Sequence, residues 1–406
     1  MEAGRATQQG TGSRRFRAAA IYTPGLEAVC RRELIDLGVK PKAAGPGTFE
    51  FEATARQVYA ANMWLRTASR VLVRVATFRA TDFAHLQAAA AEVDWSLWLA
   101  DGVAPKFRVS ANESKLYHTE AVAQRLHQVV GPPSGGEPEQ LFVVRVDRNT
   151  VTISVDASGQ ALHHRPWRTE LGEAPLRTTM AAALLLATGW DGSESLLDPF
   201  CGAGTIAIEA ALLARKMPPG GLRPFAFQTW PSFEVGAWAS VTGQVSARLK
   251  PAADITIHAS DRDADMVRAA QANAGRAGVE ADIGFEARVV SHLRSQPGPG
   301  LVATNPPFGK RLMDGRLDGL YRRFGAVVHQ RLGGWALAMI CADRELAAVT
   351  DARLSSLARF RHGGLPVELL YRGAPGPSAS ATSGPTPRRR SASEPEPPDR
   401  PEGSTG

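Results

Sequence analysis

Residues 196–209 read Leu-Leu-Asp-Pro-Phe-Cys-Gly-Ala-Gly-Thr-Ile-Ala-Ile-Glu. The apolar start predicts a short buried strand that ends at Asp198, and the apolar run from Thr205 predicts a helix. Between them, Gly202 and Gly204 allow a tight turn in which the backbone can approach a ligand closely. Because ligands of open parallel sheets bind beyond the carboxyl ends of the strands, this turn predicts a cleft for a nucleotide-sized ligand.

Four apolar segments predict the strands of one sheet. Each is mostly apolar on both faces, and helical stretches separate them, as expected of parallel strands covered by helices on both sides. The segments are residues 195–198, 255–260, 301–305 and 335–342. The sequence therefore predicts a doubly wound α/β domain. Residues 358–362 and 366–372 predict an antiparallel hairpin at the edge of its sheet.

The rest of the chain has a different character. Upstream of about residue 160, shorter strands and helices alternate, which predicts two small α+β units. Residues 1–14 are polar and glycine-rich, and residues 374–406 contain no Leu, Ile, Val or aromatic side chain. We therefore expect both ends to be disordered.

Composition narrows the class of protein. Lys and Arg number 47 against 40 Asp and Glu, a net charge of +7 that favours a polyanionic partner such as RNA. Cys30, Cys201 and Cys341 lie far apart without histidines at ligand spacing, so neither a disulfide framework nor a metal site is predicted. No segment reaches the roughly 18 apolar residues of a membrane helix. We expect a cytoplasmic protein, of undetermined oligomeric state, that does not enter the membrane.

The glycine turn differs from two common nucleotide motifs. It lacks the third glycine of the dinucleotide fingerprint, and the chain contains no phosphate-binding loop of the GxxxxGK[ST] type. Asp261 follows the predicted strand 255–260, where its carboxylate could accept hydrogen bonds from a ribose diol. Its alternative role is to cap the next helix, for which Asp263 is better placed. Asp198 is expected to orient the turn or to bind an amine of the ligand.

A second motif, Asn305-Pro306-Pro307-Phe308, closes the strand predicted at 301–305. An unpaired buried amide costs roughly 1–3 kcal/mol, so a functional partner is expected for Asn305. Its side-chain oxygen and the Pro306 carbonyl could accept both hydrogens of an exocyclic amine, while Phe308 could stack on a flat ring. Together the two motifs indicate transfer of a methyl group from S-adenosylmethionine to a planar nitrogen, a reaction that depends mainly on positioning.

With these motifs in place, the chain resembles a known family from about Phe16 to Tyr371. It is similar to the THUMP-containing class I RNA methyltransferases, in particular those that methylate the guanine 2-amino group in large-subunit rRNA. The segments that carry the resemblance are Thr23–Glu27, Met63–Arg70, His163–Arg168, Gly172–Leu176 and Asn305–Leu312.

The resemblance implies a domain plan. Residues 15–70 would form a ferredoxin-like segment, residues 71–160 a THUMP RNA-binding domain and residues 161–373 a Rossmann-like class I methyltransferase domain. The predicted cofactor-binding residues are Asp198, Phe200, Gly202, Gly204, Thr205 and Asp261, and the predicted acceptor residues are Asn305, Pro306, Pro307 and Phe308. The candidate phosphate contacts are Arg66, Arg70, Arg165, Arg168, Lys310 and Arg311. Arg66 and Arg70 could equally pair with acids between domains. His163 and His164 are expected to be structural or to face RNA.

One position departs from the family pattern. Val289 stands where the family usually places an acid that accepts a hydrogen bond from the adenine amine. Losing a hydrogen bond to a charged acceptor costs about 1.5–3 kcal/mol, which predicts weaker cofactor binding but does not require its loss. Ser291 or the backbone could replace the contact.

The leading hypothesis is therefore an rRNA guanine-N2 methyltransferase. A tRNA guanine-N2 methyltransferase is an alternative, since THUMP modules also occur in tRNA enzymes. A second alternative, motivated by Val289, is a catalytically weakened RNA-binding or ribosome-assembly factor. A third is an enzyme with another amine acceptor, because similar Asn-Pro-Pro-aromatic motifs serve adenine and protein glutamine methylation.

Overall fold

Two seven-stranded sheets organise the chain in a computed structural model. The structure describes residues 14–133, 135–136, 138–170, 176–294, 297–308 and 316–374, with the side chain of Arg316 excepted. The predictions of disorder at residues 1–13 and 375–406 lie outside the described residues, as do the candidate phosphate contacts Lys310 and Arg311.

The elements are numbered in chain order. The strands are β1 Arg15–Tyr22, β2 Lys42–Ala43, β3 Thr48–Thr54, β4 Ala68–Arg79, β5 Ala104–Asn112, β6 Glu139–Asp147, β7 Thr150–Asp156, β8 Ser195–Asp198, β9 Ile257–Asp261, β10 Ile283–Ala287, β11 Gly300–Thr304, β12 Ala336–Cys341, β13 Ser355–His362 and β14 Leu365–Arg372. The helices are α1 Glu27–Asp36, α2 Ala55–Trp64, α3 Phe83–Ala91, α4 Thr119–Val130, α5 Thr178–Ala187, α6 Thr205–Ala214, α7 Val235–Arg248, α8 Ala264–Ala277, α9 Arg316–Arg331 and α10 Arg344–Ala348.

The first sheet has the order β2-β3-β1-β4-β7-β6-β5. Its long strand β4 pairs with β1 on one side and with β7 on the other, so the two predicted α+β units share one continuous sheet. The boundary expected at residues 70 and 71 falls inside this strand. Strands β6 and β7 form an antiparallel hairpin within this sheet.

The second sheet has the order β10-β9-β8-β11-β12-β14-β13. Strands β8 to β12 are all parallel, and β14 pairs antiparallel with β12. This confirms both the α/β prediction and the edge hairpin. From β8 the chain continues to β9 and β10 on one side, and from β11 it continues to β12 on the other side. The strand order therefore reverses between the neighbouring strands β8 and β11, which is where such sheets bind ligands.

Apolar side chains cover both faces of this second sheet. Buried residues of α5, α6 and α8 pack on one face, and those of α9 and α10 pack on the other. The first sheet has its own core, which also takes in aromatic side chains from residues 225–241 of the chain between α6 and β9. Within the described part of the chain, no helix is long and apolar enough to span a bilayer.

Candidate active site

The glycine turn joins β8 to α6 and is held by backbone hydrogen bonds. The Cys201 amide donates to the Ser260 carbonyl at 3.0 Å, and the Gly204 amide donates to the Cys201 carbonyl at 2.8 Å. Both glycines have positive φ, +48° at Gly202 and +83° at Gly204, a region that favours glycine. The predicted strand, turn and helix are therefore confirmed.

Gly202 and Gly204 have different roles. A Cβ atom at Gly204 would lie 2.9 Å from the Cβ of Ala270, so this glycine lets α6 pack closely against α8. A Cβ atom at Gly202 would meet no described atom within 4 Å. The space above Gly202 is therefore open to a ligand, whereas the space at Gly204 is filled by protein.

Asp261, the last residue of β9, holds the turn in place. Its Oδ2 accepts from the Gly202 amide at 3.0 Å, and its Oδ1 accepts from the Asp263 amide at 3.1 Å. Asp263 caps α8 by accepting from the Asp265 amide at 2.8 Å, which confirms the capping prediction. Because a carboxylate offers about four acceptor positions, Asp261 retains capacity for a ligand.

Asp198 is almost completely buried, and only one of its two carboxylate oxygens accepts hydrogen bonds from described residues. Its Oδ1 accepts from the Thr304 hydroxyl at 2.7 Å and from the Phe200 amide at 3.3 Å, while its Oδ2 is buried without a hydrogen-bond partner in the described structure. Burial and the nearby charge of Asp261 raise the pKa of Asp198 to about 7. The Thr304 contact, which has no counterpart among the sequence predictions, joins the ends of β8 and β11.

The acceptor motif begins one residue after this contact. The side-chain oxygen of Asn305 is buried and has no hydrogen-bond partner in the described structure. Pro306 is buried, and Phe308 is partly buried against the core that includes α5 and α6. Two unpartnered oxygens, one from Asp198 and one from Asn305, thus lie at adjacent strand ends. Such oxygens can accept hydrogen bonds from ammonium or amine groups.

Tyr321 holds the acceptor motif through a hydrogen bond, a contact that the sequence did not predict. Its ring is fully buried on α9, and its hydroxyl donates to the Pro307 carbonyl at 3.3 Å. Tyr321 lies 14 residues beyond Pro307, and no local pattern predicts the pairing. The hydroxyl of a buried tyrosine needs a hydrogen-bond partner, but the sequence does not show that Tyr321 is buried or which group it meets.

The remaining predicted cofactor residues lie in the same turn. Phe200 packs edge-on against Phe324, with ring centroids 5.4 Å apart. Thr205 is buried at the first position of α6, where helix amides are free to face a ligand. Cys201 is buried in the core, and burial raises its pKa well above the ordinary value.

Val289 lies beyond the end of β10, and 42% of it is exposed. It lines an open cleft of about 530 Å³ together with Arg262, Arg288, His292 and Arg294. Arg288 pairs with Glu286, whereas the side chains of Arg262 and Arg294 form no ion pair with any described residue. The predicted substitute Ser291 uses its carbonyl to accept from Arg331 at 2.9 Å.

The structure corrects two of the candidate phosphate contacts. Arg66 and Arg165 are buried and share one carboxylate, that of Glu209 on α6, at 3.4 and 3.0 Å. Neither guanidinium can reach RNA, because each is enclosed between the first sheet and the second. Arg70 pairs with the buried Asp156. Arg66 therefore pairs with an acid across the junction of the two sheets, as the alternative predicted, whereas Arg70 pairs with an acid of its own sheet.

Comparison with known proteins agrees with these features. A family model described as the RMKL-like methyltransferase domain matches residues 165–367, and one described as the RlmL ferredoxin-like domain matches residues 18–72. A Synechocystis protein provisionally named an RNA methyltransferase is 29% identical over 86% of this chain and 95% of its own length. The ribosomal RNA large subunit methyltransferase K/L of Aliivibrio fischeri is 33% identical over 86% of this chain.

The match covers only part of each K/L protein. This chain spans about half of their length, 52% in the Aliivibrio fischeri protein. Among solved structures, a protein provisionally described as a methyltransferase and crystallised with SAH superimposes with a TM-score of 0.81 at 25% identity, over 90% of this chain and all of that one. The likeness therefore extends across both sheets.

Proposed function

Because this chain belongs to the family of RMKL-like methyltransferase domains, we propose that it transfers a methyl group from S-adenosylmethionine to the exocyclic 2-amino group of a guanine in 23S rRNA. The observation that carries the proposal is the buried, unpartnered side-chain oxygen of Asn305 beside the half-satisfied Asp198. The names of the K/L relatives support large-subunit rRNA as the substrate.

The glycine turn would hold the methyl donor. S-adenosylmethionine, when bound, supplies a methyl group already activated by its sulfonium, and SAH in the similar structure is what remains after that group leaves. The free Oδ2 of Asp198 suits the amine of its methionine part, and Asp261 suits its ribose diol. The open space above Gly202 and the free amides at Thr205 suit close approach of the ligand.

The acceptor motif would hold the guanine. The Asn305 oxygen and the Pro306 carbonyl would accept the two hydrogens of the 2-amino group, which turns the nitrogen lone pair toward the methyl group. Phe308 would stack on the base after it leaves its helix. Tyr321 is a positioning residue, because its hydrogen bond to the Pro307 carbonyl fixes the turn. The amine loses its proton during or after attack, so catalysis is mainly orientation.

Recognition of the RNA would fall to the first sheet and its helices. Residues 71–160 would act as a THUMP module, and the net charge of +7 suits a polyanion. Such an enzyme would work in the cytoplasm. A tRNA substrate and a catalytically weakened assembly factor remain the competing candidates.

Methylation of defined RNAs separates these candidates. Unmodified 23S rRNA, 16S rRNA and tRNA transcripts would each be incubated with the full chain and S-adenosylmethionine, and N2-methylguanine would be mapped by mass spectrometry. We expect one methylated guanine position in 23S rRNA and none in the other two. Methylation of tRNA alone would refute the rRNA assignment. No measurable cofactor binding by calorimetry, together with no methylation of any transcript, would instead favour the assembly factor.

A further inference from the structure

A second group of basic side chains lies where the first sheet, α5 and the β13–β14 hairpin meet. We call it the junction cluster, and its members are His163, His164, Arg168, Arg177 and His362. The rings of His163 and His164 lie 4.2 Å apart, and the Thr178 hydroxyl donates to the His163 carbonyl at 2.9 Å. The cluster has no part in methyl transfer as described above.

Three buried nitrogens of this cluster have no hydrogen-bond partner in the described structure. They are Nδ1 of His163, Nδ1 of His362 and Nε of Arg168. Unpartnered buried polar atoms are rare, and each calls for a physical reason. Two of the three belong to histidines that lie close enough to Arg177 to feel its charge, an arrangement that favours an anionic partner.

The described charges that act on the rings of His163 and His362 are all cationic. The side chain of Arg177 is exposed and forms neither an ion pair nor a hydrogen bond with any described residue, and Arg168 donates only to the Leu176 carbonyl at 2.6 Å. The nearby Glu209 is already held by Arg66 and Arg165. Burial and then the charges of Arg177 and Arg168 lower the pKa of His362.

The N-terminus of α5 adds to the positive electrostatic potential of the cluster. Arg177 is the N-cap residue of this ten-residue helix, and its side chain makes no capping hydrogen bond. The first amides of a helix lack helical partners, and together with the helix dipole they favour an anion. The helix end, two arginines and two histidine nitrogens are thus independent features that favour the same kind of ligand.

The cluster lies at the edge of the sheet that carries the acceptor motif. β14 runs antiparallel to β12 with Glu368 opposite Cys341, which places the β13–β14 turn and His362 at the carboxyl end of β12. β14 is two strands from β11, so the turn lies about 10 Å across the sheet from the end of β11. His362 is therefore on the side away from β9 and Asp261, whereas the residues that flank Arg168 bond to Asn273 and Arg276 of α8, the helix that follows β9.

We infer that the junction cluster binds a backbone phosphate of the substrate RNA close to the target nucleotide, an inference that rests on the proposed RNA substrate. Arg177 and Arg168 would contact the phosphate oxygens, His163 and His362 would donate from their ring nitrogens, and α5 would face the anion with its free amides. The cofactor carboxylate is the other possible source of an anion, and the test separates the two.

The test measures RNA and cofactor binding by the full chain. A fluorescein-labelled single-stranded RNA of about 12 nucleotides is titrated by anisotropy at several salt concentrations between about 50 and 200 mM, and S-adenosylmethionine is titrated by calorimetry. The variants are Arg177→Gln, the double variant Arg177→Gln with His362→Gln, and Arg177→Lys, which keeps the charge. Arg268→Gln on α8 removes the same charge from a distant exposed site.

We expect the double variant to raise the Kd for RNA about tenfold and to reduce the salt slope by about one, with cofactor affinity unchanged. Arg177→Lys keeps the charge and should therefore retain most of the wild-type salt slope. Arg268→Gln should match the wild type. Unchanged RNA affinity and slope in the double variant would overturn the inference. So would a loss of cofactor affinity alone, which would assign the anion to the cofactor carboxylate.

The phosphate site and the proposed function can fail independently of each other. If the wild type binds RNA through the cluster but methylates no transcript, the phosphate site stands and the activity fails. If the wild type methylates 23S rRNA and the double variant binds RNA as well as the wild type does, only the phosphate site fails.

Discussion

Arg165 and Arg168 lie three residues apart in one basic segment, yet the structure gives them opposite environments. Arg165 is 4% exposed and donates to Glu209, the Leu162 carbonyl and the Arg66 carbonyl. Arg168 donates to one carbonyl and leaves its Nε unpartnered in the described structure. The first arginine is a fully bonded part of the domain junction, and the second keeps capacity for a ligand.

Arg165 is a satisfied buried group that stabilises the fold, whereas Arg168 is an unsatisfied one for which we propose a ligand. Glu209 holds two arginines from upstream of α6, and Arg66 also donates to the Met217 carbonyl at 2.5 Å. Asp198, Asn305 and the junction cluster show the opposite pattern, with buried atoms left open. Four predictions test this contrast.

The largest effect is expected from Glu209→Ala. Removing this carboxylate leaves two buried guanidinium groups without their shared partner, which should lower the free energy of unfolding by about 3–5 kcal/mol. Urea unfolding followed by circular dichroism measures the loss. The exposed Glu52→Ala on β3 is the matched control and should change stability by less than about 0.5 kcal/mol. Equal stability of the two variants would show that the buried pairs contribute nothing.

Asn305→Ala should instead leave the fold intact and remove activity. We expect the rate of methyl transfer to fall at least about 100-fold, as for other oriented polar groups in active sites, while cofactor affinity stays within about twofold. Single-turnover transfer of labelled methyl to 23S rRNA and calorimetry give the two values. Turnover near the wild-type rate would contradict the role of Asn305.

Val289→Asp should strengthen cofactor binding about tenfold, the lower end of the gain from a hydrogen bond to a charged acceptor. The residue is exposed at the rim of an open cleft, so a carboxylate there can reach a ligand. Calorimetry with S-adenosylmethionine measures the change, and Val289→Asn tests how much of it needs charge. An Asp variant that binds no better than the wild type would place the adenine elsewhere.

The smallest effect is a pH dependence. Burial raises the pKa of Asp198 to about 7, so its carboxylate is ionised above that pH and protonated below it. Because the ionised form is the one that would bind the cofactor amine, affinity should fall about fourfold from pH 8 to pH 6.5. Asp198→Asn should bind weakly with a flat profile. A wild-type profile that is equally flat would remove Asp198 from the cofactor site.

Much of the catalytic domain was predictable because its signals are local. Buried parallel strands are uniformly apolar, glycines mark a turn with positive φ, and Asp263 precedes the helix that it caps. The contacts that organise the site were not predictable in this way. Thr304 bonds Asp198 across 106 positions of the chain, and Tyr321 on α9 reaches Pro307 beyond the end of β11.

The sequence by itself determined the α/β sheet, the glycine turn and the strand end that carries Asn305, since apolar periodicity and glycine act within a few residues. Only the tertiary structure decided which charged groups are bonded and which are open. Arg66 and Arg165 lie 143 and 44 residues from Glu209, and nothing in their own segments distinguishes them from Arg168. An ion pair depends on which surfaces meet, and that is settled only when the two sheets pack together.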